Sequence, residues 1–392
     1  MKCLLMNKNT KVASIEYNVA LDGIEDVYEI FNIDFAPLSI KNATGDKSKN
    51  VTKELNSWFK GRGIPSWRKD LYNLLKRLNV TTKEELLNKS FALSLSDQYW
   101  IKENNSNIEW KDINFFDNDF KYIGYLDASL NLSLSKENPD LHSPNNTTDG
   151  MLQKAWIIEN KDRVLVKGTY ENSKQEPINE WLVSNICHRL GFEYCNYDID
   201  VLDGKIVSKC SNFIKSDEEI ISAYDIFYSE KKSNNVSDFE HYINVLEEHE
   251  IKNARENLEN MFIIDFLVMN IDRHMKNFGV IRNVDTLKWE KMTPIFDTGE
   301  AMQCDKITSN MNFIDGTGKF FLNTNKKFSS YLDNIKNINR IDVNKLDGID
   351  VEYRKILKKY QIYSEISEER IEKLVNGLKY RIKLLKKYIL ND

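Results

Sequence analysis

Between residues 2 and 35 short apolar runs alternate with polar turns, the period-two pattern of strands. From Trp58 to Leu78 the spacing changes, and Trp67, Leu71, Leu74, Leu75 and Leu78 recur at helical intervals. Together they predict a small α+β unit at the N-terminus. Leu130 to Gly150 turns polar, rich in Asn, Ser, Pro and Asp, which predicts an inter-domain connection running into a mobile loop and a boundary near residue 120. After it, Leu152 to Ile158 and Arg163 to Lys167 read as two antiparallel strands joined at Glu159-Asn160-Lys161-Asp162. Pro177 opens a helix that carries Ile178, Leu182, Ile186 and Leu190 on one face and ends before Gly191. Val201 to Lys209, centred on Asp203-Gly204, predicts a hairpin whose second strand leads into Cys210-Ser211-Asn212-Phe213. Met261 to Met269 reads as a buried helix, and Phe278 to Arg282 with Leu287 to Met292 as a hairpin. The C-terminal segment from Ile366 to Ile389 predicts a helix capped by Ser367, with Ile371, Leu374, Val375, Leu378, Ile382 and Leu385 on its apolar stripe. Its lysine-rich end is read as complementing the helix dipole rather than as a binding patch.

Composition narrows the class only a little. A chain of 392 residues exceeds the roughly 250–300 residues at which a single core stops growing, so two or three units are expected. With 55 basic against 60 acidic residues and a net charge of −5, nothing points to nucleic acid or to an anionic membrane surface. Five cysteines, at positions 3, 187, 195, 210 and 304, form no C-x-x-C pair, which argues for reduced thiols rather than disulfides or zinc. The short apolar start is not a signal peptide, and no run of eighteen uncharged apolar residues occurs, so a cytoplasmic protein is expected. The aromatics Trp58, Trp67, Trp100, Trp110, Phe115 and Phe116 are assigned to core packing, not to a ligand.

The chemistry concentrates in Asn270-Ile271-Asp272-Arg273-His274-Met275-Lys276-Asn277-Phe278-Gly279 and Pro294-Ile295-Phe296-Asp297-Thr298-Gly299. Phosphoryl transfer needs a carboxylate beside the attacking hydroxyl and oxygen ligands for Mg²⁺, and Asp272, Asn277 and Asp297 supply these groups in kinase order. Each half alone reads equally well as a surface turn, since Asp and Gly favour turns. Lys167 ends an apolar strand, where an ammonium expects an anionic partner. Glu180, with Glu176 as competitor, lies in the first turns of the next helix, where it suits the dipole or pairs with Lys167. A G-x-G-x-x-G loop is missing, so a phosphate-covering role falls to Asp149-Gly150-Met151-Leu152-Gln153-Lys154. Asp315-Gly316-Thr317-Gly318-Lys319 lacks the full Walker frame and is set aside. His274 reads as structural or close to nucleotide, because hard Mg²⁺ prefers oxygen. Arg273 reads as a partner for an acidic side chain or a substrate phosphate.

Asn-x-Asp-Arg-His-x-x-Asn-Phe-Gly with Pro-x-Phe-Asp-x-Gly resembles the HipA-like kinases, a bacterial branch of the protein kinase-like fold. The resemblance covers about residues 122–390. It implies an α+β, bilobal architecture: an accessory domain over 1–120, a small antiparallel-sheet lobe with phosphate loop and hinge over 121–212, and a mainly helical large lobe over 213–392. It further implies catalytic roles for Asp272, Lys167 and Glu180. Nucleotide would contact residues 149–154, Lys167, the hinge residues Lys209, Cys210, Ser211 and Asn212, then His274, Asn277, Phe296 and Asp297. Asn277 and Asp297 would hold the metal. ATP and Mg²⁺ are the implied cofactors, a serine or threonine of a protein the implied acceptor, and an antitoxin or other regulatory protein an implied partner. The same Asp-Arg-His-x-x-Asn also resembles phosphoinositide kinases, which keeps a lipid or small-molecule acceptor open, as does a nucleotide-binding toxin or regulator that works by partner binding. Thr147 or Thr148, just before Gly150, is the expected place for an inhibitory self-phosphorylation.

Overall fold

The computed structural model describes all residues except 47, 69–70, 322–323 and 392. The chain begins with β1 (Lys2–Asn7), β2 (Thr10–Asn18) and β3 (Gly23–Ile30), which join β4 (Tyr99–Glu103) in an antiparallel sheet of order β3-β2-β1-β4. Strand β1 is apolar from Cys3 to Met6 because both of its faces are covered there. Cys3 and Leu5 pack with Ile15, Leu55 and Phe59, while Leu4 and Met6 pack with Trp100, Trp110 and Phe115.

The helix expected through Trp58 to Leu78 is broken. Helices span Val51–Gly61 and Leu71–Leu78, separated by a turn over Arg62 to Arg68. Gly61, Gly63 and Pro65 account for the break: glycine loses most on entering a helix, and proline lacks the N–H the ladder needs. The first helix is capped by Asn50, whose side chain accepts from Lys53 N, and it buries Leu55 and Phe59 against the sheet. Burial of each such side chain is worth about 1.5–3 kcal/mol. Trp67 sits in the break, 70% exposed, contrary to its assignment to the core.

The expected mobile connection is ordered by its own polar groups. Asp127, within the helix Ile123–Leu130, accepts from Leu134 N and Ser135 N. Asn145 and Asn146 are fully buried; Asn146 Nδ2 donates to Leu86 O and Leu141 O at 2.7 Å each, and Asn145 Nδ2 to Trp156 O at 3.2 Å. These amides bond main-chain carbonyls of neighbouring elements, so from Ser143 to Thr148 the polar composition means buried hydrogen bonding, while Asn131 to Asn138 is mostly exposed.

Beyond it lie β5 (Lys154–Glu159), β6 (Asp162–Lys167), the helix Glu176–Leu190, β7 (Asp198–Leu202) and β8 (Lys205–Ser211), the strands forming an antiparallel sheet of order β5-β6-β8-β7. Asn160 and Lys161, both at positive φ, make the tight β5–β6 turn. One sheet face takes Leu126 and Leu130 of the preceding helix. Trp156 and Ile158 pack instead against the N-terminal cluster around Trp100, which joins this sheet to the accessory one.

The remaining chain is mainly helical. Strands β9 (Glu218–Ser222), β10 (Gly279–Asn283) and β11 (Trp289–Met292) form a small sheet of order β11-β10-β9, and β12 (Thr317–Phe320) pairs with β13 (Thr324–Lys327). The helix Ala254–Val268 is buried nearly all round, as its apolar run from Met261, interrupted only by Asp265, requires, and the C-terminal helix Glu368–Asn391 packs beside it. Met269, in the left-handed conformation, ends the first of these and releases the chain into the loop that holds Asp272.

Candidate active site

That loop is built around Arg273. Its guanidinium, 1% exposed, meets Asp265 through Nε at 2.9 Å and Nη2 at 3.0 Å, and donates through Nη1 to Asn277 O and Phe296 O. Arg273 is therefore an internal strut tying the helix, the loop and the Phe296 segment, not a substrate contact. Asn270 donates to Asp265 Oδ1 at 2.9 Å and accepts from Asp272 N at 3.2 Å, and Asn277 Nδ2 donates to Asp272 O at 3.0 Å. Asp272, Asn277 and His274 are thereby turned into one cleft. Burial holds the His274 imidazole below the ordinary histidine value, so it is neutral near pH 7, with Nδ1 accepting from Lys276 N. It makes a poor ligand for Mg²⁺.

Asp297 enters from the other side, at φ 53°, a conformation that non-glycine residues rarely hold unless the surroundings enforce it. Lys167 Nζ reaches Asp297 Oδ1 at 2.6 Å and also pairs with Glu180, whose other oxygen accepts from Ser208 Oγ. Lys167 is 2% and Glu180 1% exposed. Burial opposes the ammonium, yet Asp297 and Glu180 hold its pKa above the ordinary lysine range. Burial likewise opposes the Asp297 carboxylate, but Lys167 and Lys154 hold it well below the usual carboxylate range. Glu176, the competing glutamate, is occupied elsewhere: it accepts from Tyr170 N and Glu171 N, both at 2.6 Å.

The cleft encloses about 660 Å³, within the range of small-molecule sites. Asp149, Gly150, Met151, Leu152 and Lys154 line it, as do Cys210, Ser211, Asn212 and Phe296. Two residues of the expected set stand outside. The Lys209 side chain turns away to Asp200 at 2.6 Å and Glu159 at 3.1 Å, because alternation along β8 sends its neighbours Ser208 and Cys210 inward instead. Gln153 does not line the cleft; its carbonyl accepts from Gly168 N. Lys154 is 7% exposed, forms no ion pair among the described residues, and is pushed down to about 8 by burial. Gly150 has φ 93°, and a Cβ there would lie 2.8 Å from Lys154 Nζ. A main chain without a side chain, over a buried ammonium that senses Asp297 but has no carboxylate in direct contact among the described residues, fits a phosphate group. Asn277 and Asp297 offer two oxygen ligands, a number that suits Mg²⁺, which keeps most of its coordination for water and phosphate.

Several residues of the site were not expected. Lys319, in the segment set aside as an incomplete Walker loop, pairs with Asp272 Oδ1. Glu300 lines the cleft and its carboxyl is pushed up to about 8 by burial and by Glu176. Arg68, 5% exposed, donates from the accessory unit to Gly150 O at 3.1 Å, to Thr148 Oγ1 at 2.9 Å and to Thr148 O. Arg68 lacks any local sequence signal, since its partners lie about eighty residues away and are mostly main chain. Thr147 and Thr148 are not solvated either. Thr147 Oγ1 donates to Leu93 O, and Thr148 is 4% exposed, so a phosphate on Thr148 requires this segment to leave Arg68.

A small antiparallel sheet and a mainly helical lobe, with the lysine–glutamate pair on one side of a cleft and the Asp272–Asn277 loop on the other, define a kinase-like protein. Residues 147–341, just under half of the chain, match the family described as the HipA-like C-terminal domain, and that segment belongs to the HipA-like family. The serine/threonine-protein kinase CtkA of Helicobacter pylori strain J99 is 23% identical over 228 residues, 54% of this chain and 66% of CtkA. The chain thus spans just under two thirds of that relative. The crystal structure of H. pylori CtkA aligns with 61% of this chain and 94% of its own at 18% identity, TM-score 0.49. HipA of Shewanella oneidensis MR-1, solved in complex with HipB and its operator DNA, aligns over 99% of this chain and 97% of its own at 12% identity, TM-score 0.51, a likeness of overall fold that includes the accessory unit.

Proposed function

We propose that this protein is an ATP- and Mg²⁺-dependent kinase that phosphorylates a serine or threonine hydroxyl of a protein. The observation that carries the reading is the buried Lys167 ammonium held between Glu180 and Asp297 in the cleft that also contains Asp272 and Asn277. Lys167 and Lys154 would orient the nucleotide phosphates beneath the Gly150 main chain, and Asp297 and Asn277 would hold the metal. The bound metal nucleotide supplies an electrophilic γ-phosphorus. Asp272 takes the proton of the acceptor hydroxyl as that oxygen bonds to the γ-phosphorus and the bond to the β–γ bridging oxygen breaks, its electron pair leaving with the diphosphate. A protein acceptor is favoured by the relative CtkA, which is a serine/threonine-protein kinase. A regulatory partner belongs to the same proposal, as the HipA neighbour was solved with HipB.

The test is incubation of the purified protein with γ-labelled ATP, Mg²⁺ and a cell lysate. A labelled protein band that disappears with chelator is expected; label in lipid alone would overturn the protein-kinase reading. Asp272→Asn should cut transfer by about a hundredfold or more while nucleotide binding persists, because the base acts on the hydroxyl and does not grip the nucleotide. Turnover near wild type in that variant would remove Asp272 from the mechanism.

A further inference from the structure

We infer that Lys319 is a positioning residue for Asp272, delivered to the catalytic loop by a strand built to approach it. The inference rests on the kinase reading above and adds to it a residue forty-seven positions beyond the base. Three independent features converge. First, Gly318 lets β12 lie against the loop: a Cβ there would stand 2.8 Å from Asn270 O and from Tyr331 Oη, and 2.7 Å from Phe328. Any larger residue would push the strand away. Second, the main chain is pinned on both sides of Lys319, whose N–H donates to Ile271 O at 3.2 Å and whose carbonyl accepts from Tyr331 Oη at 2.8 Å. Third, Lys319 Nζ bonds Asp272 Oδ1, while Oδ2 stands 3.8 Å from His274 Nε2.

These contacts fix the carboxylate's rotation. With Oδ1 tied to the ammonium, Oδ2 is the oxygen that takes the acceptor proton, and the proton ends on Asp272 as the phosphoryl group moves to the hydroxyl oxygen. Lys319 lines the cleft with Asp272. Its side chain is 39% exposed and that of Asp272 32%, so the pair contributes little to stability. A contact that adds little to folding, held by a pinned strand and a glycine, is accounted for by orientation of the base.

Lys319→Met and Lys319→Arg separate this role from a structural one. For each variant and the wild type, kcat, KM for ATP, calorimetric affinity for a non-hydrolysable ATP analogue with Mg²⁺, and the melting temperature are measured. The expected result for Lys319→Met is a fall in kcat of about tenfold to a hundredfold, with KM, analogue affinity and melting temperature unchanged. Lys319→Arg should recover part of the rate, since it keeps the charge with a different reach. An active wild type with Lys319→Met at the same kcat overturns the inference and leaves the kinase reading standing. A loss of analogue affinity or melting temperature that matches the loss of rate overturns it too, by making Lys319 structural. A wild type that transfers no phosphate to lysate proteins, to itself or to water overturns the kinase reading and this inference with it.

Discussion

Replacing Lys167 by methionine keeps the volume of its stem and deletes one buried positive charge. In the native protein that charge sits between Glu180 and Asp297, 2.6 Å from the latter, with Lys167 2% and Glu180 1% exposed. Removing one partner of a buried pair costs about 3–5 kcal/mol, because the survivor is left charged without compensation. Two carboxylates survive here. Asp297, with its side chain 30% exposed, is relieved in part by water, whereas Glu180 keeps, among the described residues, the Ser208 hydroxyl as its one side-chain donor. A destabilisation of about 4 kcal/mol at neutral pH is therefore expected, set against a total of about 5–15 kcal/mol for a folded domain. Glu180→Gln alone should cost less, about 1–2 kcal/mol, since Asp297 still neutralises the ammonium. The discriminating case is the double variant. Once Lys167 is gone, replacing Glu180 by glutamine removes the stranded charge and should restore about 1–3 kcal/mol relative to Lys167→Met. Phosphoryl transfer should nonetheless stay about a hundredfold or more below wild type in the double variant, because the phosphate-orienting cation is still missing. Urea unfolding followed by circular dichroism gives the stabilities, and label transfer from ATP gives the rates. A double variant whose destabilisation equals the sum of the two single ones would refute the reasoning, since it would mean that the two groups do not sense each other.

Glu300 carries a pH dependence of its own. Its folded-state pKa, pushed up to about 8 from an ordinary 4.5, gives a contribution to stability that is fully present below about 4.5 and lost as pH rises through about 8. Glu300→Gln should therefore match wild type near pH 4.5 and exceed it above pH 8 by about 2 kcal/mol or more, measured as unfolding midpoints across that window; equal stabilities at high pH would dismiss the shift. Arg68→Met should raise KM for ATP by about tenfold with a smaller effect on kcat, since it frees the carbonyls of Thr148 and Gly150 that shape the phosphate loop, and should lower stability by about 1–3 kcal/mol. An unchanged KM would reduce Arg68 to a packing role.

How much of this site could be read in advance depended on what selects each residue type. Asp272, Asn277 and Asp297 are of the residue types that the proposed phosphoryl transfer calls for, and two of them share one loop, so their order and spacing could be read before the cleft that brings them together was known. Lys167 and Glu180 were readable for a second reason, because an ammonium at the end of an apolar strand must find a carboxylate, and only geometry could choose Glu180 over Glu176. The strands and the helix between them followed from periodicity and from turn residues such as Asn160 and Lys161. The failures share another cause. Asn145, Asn146 and Arg68 were hidden because their partners are mainly main-chain carbonyls, which every residue possesses and no pattern marks, so a buried hydrogen-bonding segment looked like a solvated one. Lys319 was hidden because its partner lies forty-seven residues away, across a strand whose register is set by a glycine contact. The residues assigned to the chemistry are thus recognisable by type and spacing, whereas Arg68 and Lys319, which brace the loops around them, answer to partners distant in sequence. The accessory unit meets the site through Arg68 and also lines the cleft with Trp67, Ser94, Leu95 and Ser96, so any influence of residues 1–120 on phosphoryl transfer that passes through the Arg68 contact should appear first in nucleotide binding, at the Thr148–Gly150 segment, and not in the rate of the chemical step.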